Sequence, residues 1–256
     1  MSHSECEVMP FHHPAGQRYF NIASVLKCLM AKQFTCLIPF FNEDGRVLQV
    51  LNKISTLRRQ AEIICIDDGS QDQAWQKIVK RYPWVNLIRL KKNQGKTGAV
   101  AAGLKKVKTP YVFLLDADLR KISVKDFQAG LDWCRKQPKV DMLIFGRIND
   151  PFRTDLLATH ILLSGERIVK TKILKAVLRG RVKGFQLELA LNQYCLDHNL
   201  TVVTLPSRAK TTLKLKKYGL VGLKRDGKMF WELFNYTGIL SYMRQVSVFT
   251  GRKNRL

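Results

Sequence analysis

Thr109-Pro110-Tyr111-Val112-Phe113-Leu114-Leu115-Asp116-Ala117-Asp118 is an apolar run that closes in two carboxylates one residue apart. Side chains alternate along a strand, so Asp116 and Asp118 leave it on the same side while it stays extended. In an open α/β sheet, ligands collect beyond the carboxyl ends of the strands, where this pair falls. Two hard oxygen ligands suit Mg²⁺ or Mn²⁺, whose shell is completed by water and phosphate oxygens. A strand that stops in a polar turn reads the same way when an Asp-x-Asp stands alone. The neighbouring segments separate the two.

Upstream, Thr35 to Phe40 is a buried-strand run broken by Pro39, followed by Phe41-Asn42-Glu43-Asp44-Gly45 and a helical spacing of Val47, Leu48, Leu51 and Ile54. Ala61 to Ile66 repeats the pattern and closes in Asp67-Asp68-Gly69-Ser70. Val85 to Leu90 is a third strand, after which Lys91-Lys92-Asn93-Gln94-Gly95-Lys96 leads into a small-residue helix from Ala99 to Lys106. Met142 to Phe145, followed by Gly146-Arg147, is a fifth strand after the opening one. Strands alternating with helices argue for a mostly parallel sheet with helices on both faces. The turns then share one edge, which gathers Asn42, Asp67, Asp68, Lys96, Asp116 and Asp118 at one cleft. Free N–H groups at the helix start near Lys96, with its cation, favour phosphate. Gly95-Lys96-Thr97 is not a P-loop, since that pattern needs glycine where Leu90 stands.

Beyond residue 150 the signals turn helical. Ile161 to Arg167 enters a basic amphipathic helix reaching about Leu178, Gly180 to Gly184 is a turn, and Phe185 to His198 is a helix with Glu188 among leucines. A lone carboxylate on an apolar helix is either charge-paired, functional or simply a surface helix former. Thr201 to Leu205 reads as an edge strand stopped by Pro206. At the other end, residues 1–16 form a loose arm, and Tyr19 to Met30 carry a helical period.

The net charge of +24 attracts anionic partners: nucleic acid, a membrane surface or phosphorylated small molecules. It concentrates between Arg208 and Lys228, where eight Lys or Arg residues face only Asp226. Interleaved with Tyr218, Leu220, Val221 and Leu223, that run fits a solvated face, a bilayer surface or an anionic ligand. Six cysteines without C-x-x-C or zinc spacing read as free thiols of a reducing compartment. No run approaches about 18 uninterrupted apolar residues, so a cytoplasmic chain, peripheral at the cytoplasmic membrane face, is expected.

Taken together, Leu37-Ile38-Pro39-Phe40-Phe41-Asn42-Glu43, Ile66-Asp67-Asp68-Gly69-Ser70, Asn93-Gln94-Gly95-Lys96, Leu114-Leu115-Asp116-Ala117-Asp118 and Ser164-Gly165-Glu166-Arg167 resemble the inverting family 2 glycosyltransferases of GT-A fold. Gly184-Phe185-Gln186-Leu187-Glu188 is similar to a segment of the polyprenyl-phosphate hexose synthase branch. The resemblance implies a GT-A domain over 34–207, between an arm and helix (1–33) and a basic, aromatic helical extension (208–256). It implies that Pro39, Phe40 and Glu43 line the base and ribose of a UDP- or GDP-hexose, and that Asp68 holds the base edge. Asn42, Asp67, Lys96 and Ala117 complete the donor side, and Asp116 and Asp118 position the ion on the diphosphate. An acceptor side of Arg147, Ser164 to Arg167 and Glu188 supplies the catalytic candidates Glu188, Glu166, Arg167 and Arg147. Pro206-Ser207-Arg208 lacks the histidine that many relatives use as a third metal ligand.

Two acceptor classes follow. A lipid phosphate is already ionised, since its second pKa is about 6, and needs positioning by arginines. A hydroxyl needs a carboxylate base, for which Glu188 and Glu166 stand ready. A nucleotidyltransferase would instead release pyrophosphate. A nucleic-acid-binding protein without chemistry would bind with steep salt dependence, but carboxylates at the cleft oppose it.

Overall fold

A computed structural model describes residues 11–12, 18–19, 31–147, 159–180, 182, 186–209 and 235–250. Among them, seven strands form one sheet: β1 (Phe34–Phe40), β2 (Ala61–Asp67), β3 (Asn86–Arg89), β4 (Tyr111–Leu114), β5 (Met142–Arg147), β6 (Arg167–Lys170) and β7 (Val202–Ser207). Their order is β3-β2-β1-β4-β6-β5-β7. Every pairing is parallel except those of β6, which runs antiparallel to β4 and β5. Phe11–His12 and Arg18–Tyr19 form a separate antiparallel pairing.

All strands but β3 and β7, at the two edges, are buried on both faces, and the period of two divides the core. Phe34, Cys36, Ile38, Ile63, Cys65, Phe113, Leu143 and Phe145 point to one side, against α1 (Arg46–Ile54), α2 (Ala74–Arg81) and a later helix, Val124–Lys136. Leu37, Ile64, Ile66, Val112, Leu114, Met142 and Ile144 point to the other, against α3 (Gly95–Leu104). With Val124–Lys136 as α4, the remaining helices α5 (Thr159–Leu162), α6 (Thr171–Val177), α7 (Gln186–Asp197) and α8 (Ile239–Thr250) all join this second face. Helices on both faces are thus observed as expected.

Local chemistry explains the close approach of helix to sheet. Ser123 caps α4 by accepting the Asp126 N–H, and Arg135 and Lys136 complement the dipole in its last turn. A side chain at Gly130 would run into the ring of Phe145, so glycine there lets α4 sit down on β5. Phe113, Phe127 and Phe145 then meet with centroids 5.1–5.4 Å apart, two of the three pairs edge-on. Such pairs add about 0.5–1.5 kcal/mol each beyond area burial.

Pro39 does not break β1. The carbonyl of Leu37 accepts the Leu115 N–H, whereas that of Phe40 accepts the Asp68 N–H. By alternation, Pro39 faces the β4 side, past the last β1–β4 pair at Leu37 and Leu114. The sheet parts there, so the missing N–H leaves no partner unpaired.

Four expectations are corrected. The long helix from Ile161 to Leu178 is instead α5, the strand β6 and α6. β7 continues through Pro206 to Ser207, which an edge strand tolerates because one row of its N–H groups is not needed. α3 begins at Gly95, four residues before Ala99. Of the helix expected from Tyr19 to Met30, Tyr19 is instead a strand residue paired with Phe11 of the expected loose arm, and residues 20–30 lie outside the described residues, as does the basic run past Ala209. Cys36, Cys65, Cys134 and Cys195 are free and buried. Burial pushes the Cys134 and Cys195 thiols up to about 12, which makes them inert. No helix among the described residues is long and apolar enough to cross a membrane.

Candidate active site

The chain proceeds outward from β1 through β2 to β3, then returns to β4 on the other flank of β1. Neighbouring connections therefore diverge between β1 and β4, which opens a crevice at their carboxyl ends. Asp116 and Asp118 lie at its β4 side. β4 ends at Leu114, and the backbone turns at Ala117 and Asp118. The pair is consequently presented by a turn, not by an extended strand as the alternation argument assumed. Both aspartates are partly exposed, whereas Ala117 between them is buried in the first core.

One cation organises the centre. Lys96, in the first turn of α3, places Nζ 2.6 Å from Asp116 Oδ1 and 2.7 Å from Glu188 Oε1. Burial works against its charge, but the two carboxylates outweigh that and hold its pKa above the ordinary lysine value. Glu188 is 4% exposed, and its Oε2 has no hydrogen-bond partner among the described residues. Gly165 lies against the far side of Asp116: a Cβ there would stand 2.7 Å from both Cγ and Oδ1 and closer still to Oδ2. Asp116 is thus held between an ammonium and a bare backbone.

Other residues of the expected set hold the loops. Asn42, at φ 52°, donates its N–H to Ser70 Oγ and accepts the Gln71 N–H, both at 2.9 Å. Asp67 accepts the Ser70 N–H at 2.7 Å and lies 3.3 Å from Arg89 Nε. Asp68 accepts the N–H groups of Gln94 (2.7 Å) and Gly95 (2.8 Å), so the α3 start expected to greet phosphate is already capped by a carboxylate. Burial raises the Asp68 pKa, and those two hydrogen bonds pull it back. Gly69 adopts φ 77° with the backbone of Lys92 and Asn93 3.0–3.2 Å from where a Cβ would be, a close approach that glycine alone permits. Glu43 is nearly buried and pairs with Arg46. Phe40 is packed into the core, and the aromatic left exposed at the end of β1 is Phe41, at 42%. Pro39 is half-buried beside it.

On the side expected to take the acceptor, Glu166 is 1% exposed, with Oε2 2.9 Å from Ser164 Oγ, which also lies 2.7 Å from the Phe145 carbonyl oxygen. Arg147 ends β5 opposite Ser207. Arg167 does not reach the crevice surface. It is fully buried and donates from Nε to Ser164 O (2.7 Å), from Nη2 to Leu162 O (2.6 Å), and from Nη1 to Asn192 Oδ1 (2.5 Å) and Glu188 O (3.3 Å). Burial pushes its pKa down to about 10. Those bonds tie the Ser164–Arg167 loop to α7 and so set the position of Glu188. Arg167→Met is expected to cost about 3–5 kcal/mol of stability, the penalty for orphaning a buried polar network. Arg167→Lys should recover less than half, since an ammonium cannot span the same acceptors. Urea unfolding checks this; full stability with lost turnover would move Arg167 into the chemistry instead.

For a divalent ion, the chain supplies two carboxylates, Asp116 and Asp118, and no group of three His, Cys, Asp or Glu residues forms a site among the described residues. That fits an open site, whose remaining positions go to water and substrate phosphate as Mg²⁺ or Mn²⁺ prefers.

Residues 35–180 match the model of Glycosyl transferase family 2. A dolichyl-phosphate beta-glucosyltransferase of Dictyostelium discoideum is 32% identical over 162 residues, 55% of this chain and 49% of that protein. An undecaprenyl-phosphate 4-deoxy-4-formamido-L-arabinose transferase of Klebsiella pneumoniae is 32% identical over 97 residues, 35% of this chain and 30% of that protein. The chain spans half or less of the length of these relatives. Among solved structures, glucosyl-3-phosphoglycerate synthase from Mycobacterium tuberculosis, in complex with phosphoglyceric acid, matches with a TM-score of 0.64 at 16% identity, over 92% of this chain and 86% of that one. The same enzyme with Mn²⁺, UDP and glucosyl-3-phosphoglycerate gives 0.59 at 16% identity, over 83% and 82%. The fold shared with these neighbours is GT-A.

Proposed function

The chain belongs to glycosyl transferase family 2, and from that premise we propose that it moves a hexose from a nucleotide-diphosphate sugar to a polyprenyl phosphate by a single inverting displacement. The observation that carries this reading is the Lys96–Asp116–Glu188 cluster at the crevice between β1 and β4. Relatives named for dolichyl- and undecaprenyl-phosphate transfer support the acceptor class.

An oxygen of the acceptor phosphate attacks the anomeric carbon from the face opposite the leaving group. The bond from that carbon to the donor diphosphate breaks, and the nucleoside diphosphate departs with the electron pair. The acceptor is ionised at neutral pH, its second pKa being about 6, so it needs orientation more than deprotonation. Lys96 holds a fixed positive charge beside the leaving group, where negative charge grows in the transition state. Asp116 and Asp118 would hold Mg²⁺ or Mn²⁺, which supplies further positive charge to the diphosphate when bound. Mn²⁺ with UDP in the Mycobacterium tuberculosis enzyme supports that ion class. Exposed Phe41, with Pro39 and Glu43, offers the nucleoside a flat apolar surface and a carboxylate.

A hydroxyl acceptor is the second reading, favoured by the unpartnered buried oxygen of Glu188. A carboxylate oxygen so placed accepts a proton from an attacking hydroxyl.

Thermal-shift titration with UDP, GDP and their hexoses, each with Mn²⁺ and with chelator, tests the donor site. One base series is expected to raise the midpoint by roughly 5–10 °C at saturating concentration, by mass action on the folded state. Chelator and Asp118→Ala should each abolish the rise. No shift with any nucleotide would refute the donor site; a shift indifferent to metal would refute the role of the aspartates.

A further inference from the structure

Five of the seven large apolar side chains exposed among the described residues fall within 236–248: Tyr236, Ile239, Leu240, Met243 and Val248. Leu240 is 87% exposed and Ile239 68%. The helical period of α8 explains the division: Tyr242, Gln245, Val246 and Phe249 point inward to the second core, while Ile239, Leu240 and Met243 share the outer side. Contiguous apolar surface of this kind marks an interaction face. A cavity of about 470 Å³ opens beside it, lined by Val177, Val182, Ala190, Tyr194, Tyr236 and Ser241.

The charge that the sequence sets next to this helix selects its partner. In the sequence, the run of eight Lys or Arg from Arg208 to Lys228 precedes α8, and Arg252, Lys253 and Arg255 follow it. Arg244 lies on the helix itself, 3.7 Å from Asp197 and with 59% of its side chain exposed. An apolar helix face in so basic a stretch of sequence matches the boundary of an anionic bilayer, which takes the apolar side chains into its acyl region and cations at its headgroups.

The inner side of α8 is linked to the candidate site through hydrogen bonds. Ser241 Oγ donates to Gln193 Oε1 at 2.5 Å, and Gln245 Oε1 accepts from Asn192 Nδ2 at 3.2 Å. Asn192 Oδ1 in turn receives Arg167 Nη1, which also bonds the carbonyl of Glu188. One buried polar chain thus runs from the exposed helix to the loop and helix that hold the acceptor side.

We infer that the outer face of α8, with Ile239, Leu240 and Met243 at its centre, docks the protein on an anionic lipid surface. This deepens the lipid-acceptor reading and rests on it for its purpose, though not for its physics. Docked there, the protein meets a membrane-borne acceptor on the side its own hydrogen bonds connect to Glu188.

The test is co-sedimentation of the full chain with vesicles of phosphatidylcholine alone and of phosphatidylcholine with phosphatidylglycerol in equal parts. The expected result is binding to the mixed vesicles, weakened by salt, and about tenfold or more weaker binding for the double variant Ile239→Asp, Leu240→Asp, from the lost apolar insertion. Both side chains are exposed, so the variant should keep its melting midpoint and its nucleotide-induced shift. Equal vesicle binding by variant and parent overturns the inference. So does a dimer, seen by sedimentation velocity, that the variant dissolves, because a second copy then covers the face. Transfer to a short-chain, water-soluble polyprenyl phosphate separates the two claims: its absence, alongside face-dependent vesicle binding, rejects the lipid acceptor and leaves the docking face standing.

Discussion

Gly165→Ala is expected to fold normally and to lose at least 100-fold in kcat/KM. The added methyl would stand 2.7 Å from Cγ and Oδ1 of Asp116, and closer to Oδ2, so one of the two must move. A carboxylate at the end of a side chain yields more easily than backbone, and stability should therefore change by less than about 1 kcal/mol, as for surface substitutions away from special features. The cost falls on geometry. Asp116 is displaced from the position where Lys96 and the donor diphosphate meet it, and a misplacement of about 1 Å costs on the order of 100-fold. Nucleotide binding should lose its metal dependence at the same time. Steady-state kinetics and the Mn²⁺-dependent thermal shift measure this, with Gly180→Ala as comparison: its added methyl would stand 3.3 Å from the Val177 carbonyl oxygen and meet no functional carboxylate. An active Gly165→Ala protein with unchanged metal dependence would show that Asp116 does not need its observed position.

The sheet was legible because each strand from β1 to β5 is an apolar run closed by Gly, Asp or Asn, a pattern that survives without knowledge of tertiary contacts. β6 was not. Arg167-Ile168-Val169-Lys170 adjoins Ile173, Leu174 and Val177, whose helical spacing is real and masked the strand before it. Nor does an arginine in sequence announce burial: Arg167 enters the core because carbonyls from α5, its own loop and α7 converge on it, a property of the fold. The exchange of Phe40 for Phe41 was readable. Phe40 shares parity with Phe34, Cys36 and Ile38, all on one buried face, so Phe41 was the aromatic left over. The site was partly legible: Asp116, Lys96 and Glu188 were each singled out by their positions, but their convergence spans up to 92 residues of chain and no local pattern encodes it. Gly165 carried a signal in its place beside Glu166, yet its reason, the carboxylate pressed against it, exists only in three dimensions.

Lys96→Met is expected to lower kcat by about 100- to 1000-fold, the usual effect of deleting one preorganised charge from a transition state. It should also destabilise the fold by about 2–4 kcal/mol, because Glu188 is left buried without its counter-ion. These two losses have different origins, and a second substitution separates them. Glu188→Gln added to Lys96→Met removes the orphaned charge, so about half or more of the lost stability should return. Activity should not, since the positive charge beside the diphosphate is still missing. Glu188→Gln alone then distinguishes the acceptors. With a phosphate acceptor it keeps the ionised nucleophile and should lose less than about tenfold; with a hydroxyl acceptor it removes the base and should lose about 100- to 10,000-fold. Urea unfolding and product formation on both acceptor types provide the readouts. Recovery of activity in the double variant would mean that Lys96 serves only to neutralise Glu188, and would remove it from the transfer step.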